Sequence, residues 1–238
     1  MLRLDKWLAE MTEGSRAEVK KWIRQGRVYV NETKVQRPET KLDPGRDQVT
    51  LDGEQIIYEQ FCYYMLNKPA GVVSATTDRE HKTVIDLLQE ANTQDVFPVG
   101  RLDIDTEGLL LLTNDGALAH ELLSPRKHVD KTYFVRIAGN LSDADVKQLE
   151  QGMDIGDEKL TLPAKVSCLE QFPEEQEQTV TIKLREGRYH QVKRMFAKVG
   201  HPVLYLQRVN MGTLTLDDSL KTGEYRELTA DEIAALKR

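Results

Sequence analysis

Cysteine is nearly absent from this sequence. Only Cys62 and Cys168 carry thiols, which excludes a disulfide framework and offers no metal-ligand spacing. Both are expected to be reduced thiols in a cytoplasmic protein. Long apolar runs are missing too. Leu109-Leu110-Leu111-Leu112 falls far short of a membrane span, and the stretch from Met1 to Lys6 lacks the apolar region of a secretory leader. No internal repeat or low-complexity segment occurs. There is no overall excess of positive charge either, since the net charge is −6. Taken alone, that value argues against a polyanionic partner.

The distribution of charge says more than its sum. Arg16, Lys20, Lys21, Arg24 and Arg27 face Glu18 alone in the first basic stretch, and Arg185, Arg188, Lys193, Arg194 and Lys198 face only Glu186 in the second. Acid gathers elsewhere, at 170–177 and 143–157. Two basic patches on an acidic body suit a protein that docks on nucleic acid along chosen faces. With 39% hydrophobic residues in 238, the chain can bury one good core with a small domain beside it.

Hydrophobic spacing supplies the elements. Leu4, Trp7, Leu8 and Met11 recur as on one face of a helix, which Gly14 is expected to end. Ser15 with Glu18 three residues on reads as a capping box opening a second helix. Its apolar stripe is Val19, Trp22 and Ile23. Arg16, Lys20 and Arg24 recur every four residues with Arg27 on the same side, as an RNA-facing stripe or simply a solvated face. Val28–Val30, Thr33–Val35 and Val49–Leu51 read as short strands, and 52–60 as a linker. From Phe61 onward the predicted strands are 63–66, 109–112, 131–137 and 180–184. Short helices are predicted at 84–88, from an Asp115 cap through Leu123, from a Ser142 cap through Leu149, and over 190–199. Asn67 to Gly71 is expected to break the first of those strands. The irregular alternation favours an α+β fold: residues 1–59 as a small N-terminal domain with its linker, and 60–238 as a larger domain with a mostly antiparallel mixed sheet flanked by helices.

Two constellations can carry chemistry. In Gly100-Arg101-Leu102-Asp103-Ile104-Asp105-Thr106-Glu107-Gly108, three acids and an arginine precede a buried-looking strand. Such acids serve as a helix cap or turn, as a metal site, or as catalytic carboxylates. Asp103 and Asp105 would suit Mg²⁺, but no further acids recur at a suggestive spacing. In Glu186-Gly187-Arg188-Tyr189-His190-Gln191-Val192-Lys193-Arg194-Met195, a glycine turn delivers Arg188, His190, Gln191, Lys193 and Arg194 to a helix start. That arrangement binds phosphate and can also supply a cation to a nearby carboxylate. His190 on its own reads equally well as a hydrogen-bonded structural residue, and Lys68-Pro69 as a structural turn.

Together with Lys68-Pro69-Ala70-Gly71 and Lys131-Thr132-Tyr133, these segments resemble the ordered motifs of bacterial pseudouridine synthases, and most closely their RsuA branch. Residues 1–48 resemble the S4 RNA-binding domain that this branch carries. The resemblance implies that Asp103 is the essential aspartate, that Tyr133 stacks on the target uracil, and that Lys193 pairs with the aspartate. It implies further that Arg101 lies near the flipped nucleotide and that Leu184 forms an apolar wall. Arg188, His190, Gln191 and Arg194 complete the substrate set, His190 and Gln191 without a settled chemical role. Arg3, Ser15, Arg16, Lys20, Lys21, Arg24 and Arg27 fall in the S4 RNA-binding set.

The implied reaction needs no cofactor and no metal. Its implied partner is ribosomal RNA, 16S or a small-subunit assembly intermediate, with uridine 516 as target; neither a membrane nor a second copy of the chain is expected. A large-subunit enzyme of the same family and a non-catalytic S4-type assembly protein are the alternatives.

Overall fold

A computed structural model describes the whole chain except Glu13, Glu59, Gln60, Glu90, Asn92 and Gln94. The chain divides into two compact units, Met1–Phe61 and Cys62–Arg238. The boundary expected between 59 and 60 falls on residues outside the described set.

The first unit runs β1 (Leu2–Arg3), α1 (Leu4–Met11), α2 (Arg16–Arg24), β2 (Val28–Val30), β3 (Thr33–Lys34), β4 (Lys41–Leu42), β5 (Val49–Leu51) and β6 (Glu54–Ile56). Leu4, Trp7 and Leu8 of α1 pack with Val19 and Ile23 of α2 over Val28, Leu42 and Val49. The capping box forms as expected: Ser15 accepts from the Glu18 amide, and the Glu18 carboxylate accepts from Ser15. Two expectations change. α1 ends at Met11, and Gly14 matters for another reason, since a Cβ there would lie 2.2 Å from the Trp22 ring. The stretch read as a linker is also partly a strand. β6 pairs antiparallel with β5 across Asp52-Gly53, and the Trp7 indole N–H donates to the Ile56 carbonyl at 3.1 Å.

The second unit contains β7 (Tyr63–Lys68), β8 (Phe97–Pro98), β9 (Glu107–Thr113), α3 (Gly116–Leu123), β10 (Lys131–Ala138), α4 (Asp143–Gln151), β11 (Lys165–Phe172), β12 (Glu177–Leu184), α5 (Gln191–Lys198), β13 (Val203–Met211), β14 (Leu214–Thr215), β15 (Tyr225–Glu227) and α6 (Ala230–Leu236). One sheet runs in the order β11-β12-β10-β13-β9-β7-β15, with β14 on β13 and β8 on β9. Pairing is antiparallel except between β9 and β13. The predicted α+β class, with its mostly antiparallel mixed sheet and flanking helices, is what the chain adopts. Asp115 and Ser142 cap α3 and α4 as the sequence implies. The four leucines of β9 have both faces buried: Leu110 and Leu112 join one core cluster, Leu109 and Leu111 the other. That is why this strand is a continuous apolar run rather than an alternating one.

The β9–β13 seam is short, pairing Glu107 with Gln207 and Gly108 with Arg208. Tyr205 donates its hydroxyl to Glu107 across it, and Arg208 Nε donates to the Leu109 carbonyl, both at 2.8 Å. Gly108 has φ +99°, and a Cβ there would sit 2.3 Å from the Arg208 carbonyl oxygen. Backbone strain and steric overlap thus coincide, and Gly108→Ala is expected to cost about 3 kcal/mol. Chemical denaturation measures this; an unchanged midpoint would show that the seam can give way. Among the described residues no helix is long and apolar enough to cross a membrane.

Candidate active site

One row across the sheet organises the site. Lys68 pairs with Gly108, Gly108 with Arg208, and Arg208 with Tyr133. Above this row lies the loop between β8 and β9 that carries Arg101 and Asp103.

The sequence reading ends β7 before Asn67, yet the strand continues through Lys68. Lys68 is fully buried, and its ammonium donates to the carbonyls of Pro69, Asp103, Ile104 and Thr106 at 2.8–3.4 Å. Burial pushes its pKa down to about 8, against the pull of Asp105, Glu107 and Asp103. A cation enclosed by carbonyl dipoles fixes the loop's path, adding to the Thr106 and Gly71 amides that also donate to the Asp103 and Ile104 carbonyls. Ser74 holds the other flank, donating to the Leu102 carbonyl and accepting from the Leu102 amide. With its backbone fixed in this way, Asp103 is free to present its carboxylate.

That carboxylate meets the start of α5. Lys193 Nζ lies 3.3 Å from Asp103 Oδ2, and His190 Nε2 lies 3.6 Å from Oδ1. The expected Lys193–Asp103 pair therefore forms, but it is shared: Lys193 also donates to Asp105, at a shorter distance. The Asp105 carboxyl is held below its ordinary range chiefly by that bond. Both acids of the loop turn to one ammonium, an arrangement built for ion pairing rather than for metal coordination. His190 is left-handed at φ 48°, and its ring stacks on Tyr189 at 3.8 Å and 19°.

Asp103 and the Tyr189–His190 stack line a cavity of about 860 Å³. Asp103, Arg101, Tyr133, Leu184 and His190 all reach it, with Tyr133 and Leu184 buried in its wall. Arg188 and Gln191 line it too, but they and Arg194, all expected to bind substrate, are held by internal partners. Arg188 donates to Glu186, Asp157 and the carbonyls of Lys159 and Leu160. Arg194 donates to Asp157 and to the carbonyls of Ile155 and Tyr189. Gln191 is buried and clasps Glu186 and the Arg188 amide. The segment at 155–160 carries an acid and free carbonyls that match the arginine forks, so these side chains brace the α5 entrance. Sequence reasoning missed Ser74, Glu186, Leu206 and Arg208, all of which touch the same cavity. Lys131 also lines it, and the sequence signalled it only through the Lys131-Thr132-Tyr133 motif.

In the first unit the basic set divides. Arg3 pairs with Asp5, Arg27 pairs with Asp52 and lies 5.3 Å above the Trp22 ring, and Ser15 caps its helix. Arg16, Lys20, Lys21 and Arg24 form no ion pair among the described residues, and Arg16, Lys21 and Arg24 are exposed. Charges left open to solvent bind a polyanion by releasing its counterions. Replacing both Lys20 and Arg24 with Ala is expected to weaken RNA binding and to lower the slope of log K against log salt by about 1–2. A slope equal to that of the unaltered protein would remove this helix from the RNA-binding face.

The family profile for RNA pseudouridylate synthase matches residues 62–198, and that for the S4 domain matches residues 2–47. The chain belongs to the RNA pseudouridylate synthase family and is an isomerase of the RsuA type with an N-terminal S4 domain. It is 45% identical to the uncharacterized RNA pseudouridine synthase YtzG of Bacillus subtilis, over 99% of this chain and 98% of that protein. It is 43% identical to ribosomal small subunit pseudouridine synthase A of Escherichia coli, over 99% and 100%. A crystal structure of a pseudouridylate synthase aligns over 99% of this chain and 100% of its own, at 36% identity and a TM-score of 0.67.

Proposed function

We propose that this synthase converts one uridine of 16S ribosomal RNA, the one at position 516, to pseudouridine, with Asp103 as its essential carboxylate. The observation that carries the reading is the Asp103 carboxylate in a cavity shared with Tyr133, with the Lys193 ammonium 3.3 Å away. The small-subunit target rests on relatives such as the Escherichia coli protein, a ribosomal small subunit pseudouridine synthase. On this reading residues 1–59 anchor RNA and residues 60–238 perform the chemistry, as a cytoplasmic monomer.

The reaction breaks the N1–C1′ bond, turns the uracil, and rejoins it through C5. No electrons are exchanged with another molecule and no group is donated, so no cofactor is called for. Asp103 either attacks C1′ or removes the C2′ proton. The uridine leaves its stack at a cost of a few kcal/mol, and stacking on Tyr133 returns roughly 1–3 kcal/mol. Arg101, exposed beside the loop, fills the vacated space or holds a phosphate, and Leu184 closes the apolar side.

Pseudouridine mapping of ribosomal RNA from a strain lacking the gene tests the target. Loss of the single 16S modification, restored by the intact gene but not by one encoding Asp103→Asn, is the expected result. Loss confined to 23S RNA would move the enzyme to a large-subunit target, and no loss in either would overturn the reading.

A further inference from the structure

Lys193 is the cation paired with the Asp103 carboxylate. Two others, Arg208 and Lys131, line the cavity that this carboxylate reaches and have no role assigned. Arg208 on β13 is 2% exposed. Its Nε is satisfied by the Leu109 carbonyl, but its Nη2 is buried without a hydrogen-bond partner among the described residues, and it takes part in no ion pair there. The Lys131 ammonium on β10 donates to the Val129 carbonyl and feels the pull of the neighbouring Asp130. Burial, and then the nearby Arg208 cation, hold the Lys131 ammonium below its ordinary range. The Thr106 hydroxyl oxygen is likewise buried without a partner and borders the same space. A buried cation without a paired carboxylate, as Arg208 is among the described residues, is costly to keep, and an unfilled donor facing a cavity marks where a ligand atom completes the set.

Sheet register says which atom. Arg208 is the direct cross-strand partner of Tyr133, so the two side chains stand side by side. Lys131 precedes Tyr133 by two residues on the same strand and therefore faces the same way; all three line the cavity. A uracil lying on the Tyr133 ring thus presents its edge, not its sugar, to Arg208 and Lys131.

We infer that Arg208, supported by Lys131, is a catalytic residue that hydrogen-bonds a uracil carbonyl oxygen and stabilises the negative charge of the detached base. The charge arises whichever way Asp103 acts. When N1–C1′ breaks, both bonding electrons leave with N1 and spread onto O2 and O4. The sugar meanwhile becomes bonded through C1′ to Asp103 or, having given its C2′ proton to Asp103, becomes a glycal. When C5 bonds to C1′, the ester bond breaks or the C2′ proton returns. C5 then loses its proton and N1 gains one, so the uracil is neutral again. A donor placed for the intermediate charge acts like an oxyanion hole for the base.

The inference rests on Tyr133 as the platform for the base, and one set of measurements tests the two separately. Arg208→Gln is expected to lower the single-turnover rate by about 10²–10³-fold with RNA affinity unchanged, and Arg208→Lys to recover part of it. The decisive comparison uses RNA carrying 5-fluorouridine at the target, whose detached base is a more stable anion. Fluorine replaces the C5 proton, so after C5 bonds to C1′ the base cannot shed that proton and is read in nucleoside digests by mass spectrometry as the C-linked product or its water adduct. The Arg208→Gln penalty on its formation should shrink by about tenfold or more.

An equal penalty on both substrates would reduce Arg208 to a structural part. A loss confined to RNA affinity would assign it to a backbone phosphate instead. Either result overturns the inference while leaving Asp103 untouched, whereas activity surviving Asp103→Asn overturns the underlying reading. Should Arg208→Gln fail to fold, Arg208→Lys and Lys131→Gln carry the same two-substrate comparison.

Discussion

Asp103→Asn is expected to lower turnover by about 10⁴-fold or more while RNA binding stays at its original affinity. The amide has the shape of the carboxylate but is neither a competent nucleophile nor a base. The loop survives the change because its path depends on the Asp103 main-chain carbonyl, which accepts from Lys68, and not on the side chain. Lys193 keeps Asp105 as its closer partner, so no cation is stranded. The RNA-binding charges named on α2 belong to the other unit. Single-turnover conversion and filter binding on the same preparation separate the two effects. Retained turnover would refute the catalytic assignment, and lost binding would show that Asp103 also shapes the RNA surface.

The second large effect is expected at Lys68. In Lys68→Met the side chain keeps its bulk and loses the ammonium, so four carbonyls give up a charged donor. The Asp103 and Ile104 carbonyls keep the Thr106 and Gly71 amides as donors, so the loss falls mainly on the Pro69 and Thr106 carbonyls, at about 1–3 kcal/mol apiece, and we expect about 3 kcal/mol of lost stability. The loop carrying Asp103 then shifts, and displacement of about 1 Å costs roughly 10²-fold in rate.

The unaltered enzyme should show a milder version of this with pH. Below about 8 the ammonium is charged and the clamp intact; above it the proton is lost and activity falls. Stability moves the other way. Between about 8 and the ordinary value of 10.5 the unfolded chain holds a proton that the folded chain has released, so unfolding free energy rises with pH from this group. A pH–rate profile and denaturation midpoints over the same range check both limbs. If Lys68→Met kept an alkaline limb near 8, another group would have to be its source.

How much of this was legible in the sequence depended on whether the signal was local. The capping box at Ser15 and the caps at Ser142 and Asp115 are fixed by residues three apart, and all formed. The Asp103 loop and the α5 entrance could be identified as a pair because each is a compact motif. Lys68 was misread because a polar Asn-Lys-Pro ordinarily ends a buried strand, whereas here the lysine is buried against main-chain oxygens that only the fold brings near. β13 gave no apolar period because its buried face carries a charged residue, Arg208, next to Leu206, and its parallel partner lies about a hundred residues earlier. Arg188 and Arg194 looked like phosphate ligands because charge can be read from sequence and direction cannot. The structure turns both onto Asp157.

The narrow β9–β13 seam also bears on when the enzyme becomes an enzyme. Asp103 and Lys68 hang from strands on one side of it, and Tyr133, Leu184, His190, Lys193 and Arg208 from elements on the other. Neither half of the sheet owns a site. The strands that meet there are far apart along the chain, and closing so long a loop is among the slower steps of assembly. Hairpins such as β11–β12 need no such closure. During refolding, catalytic competence is therefore expected to return in the last kinetic phase, behind the recovery of strand signal in circular dichroism. A nascent chain that has not yet made β13 is expected to hold RNA through its first domain without being able to alter it.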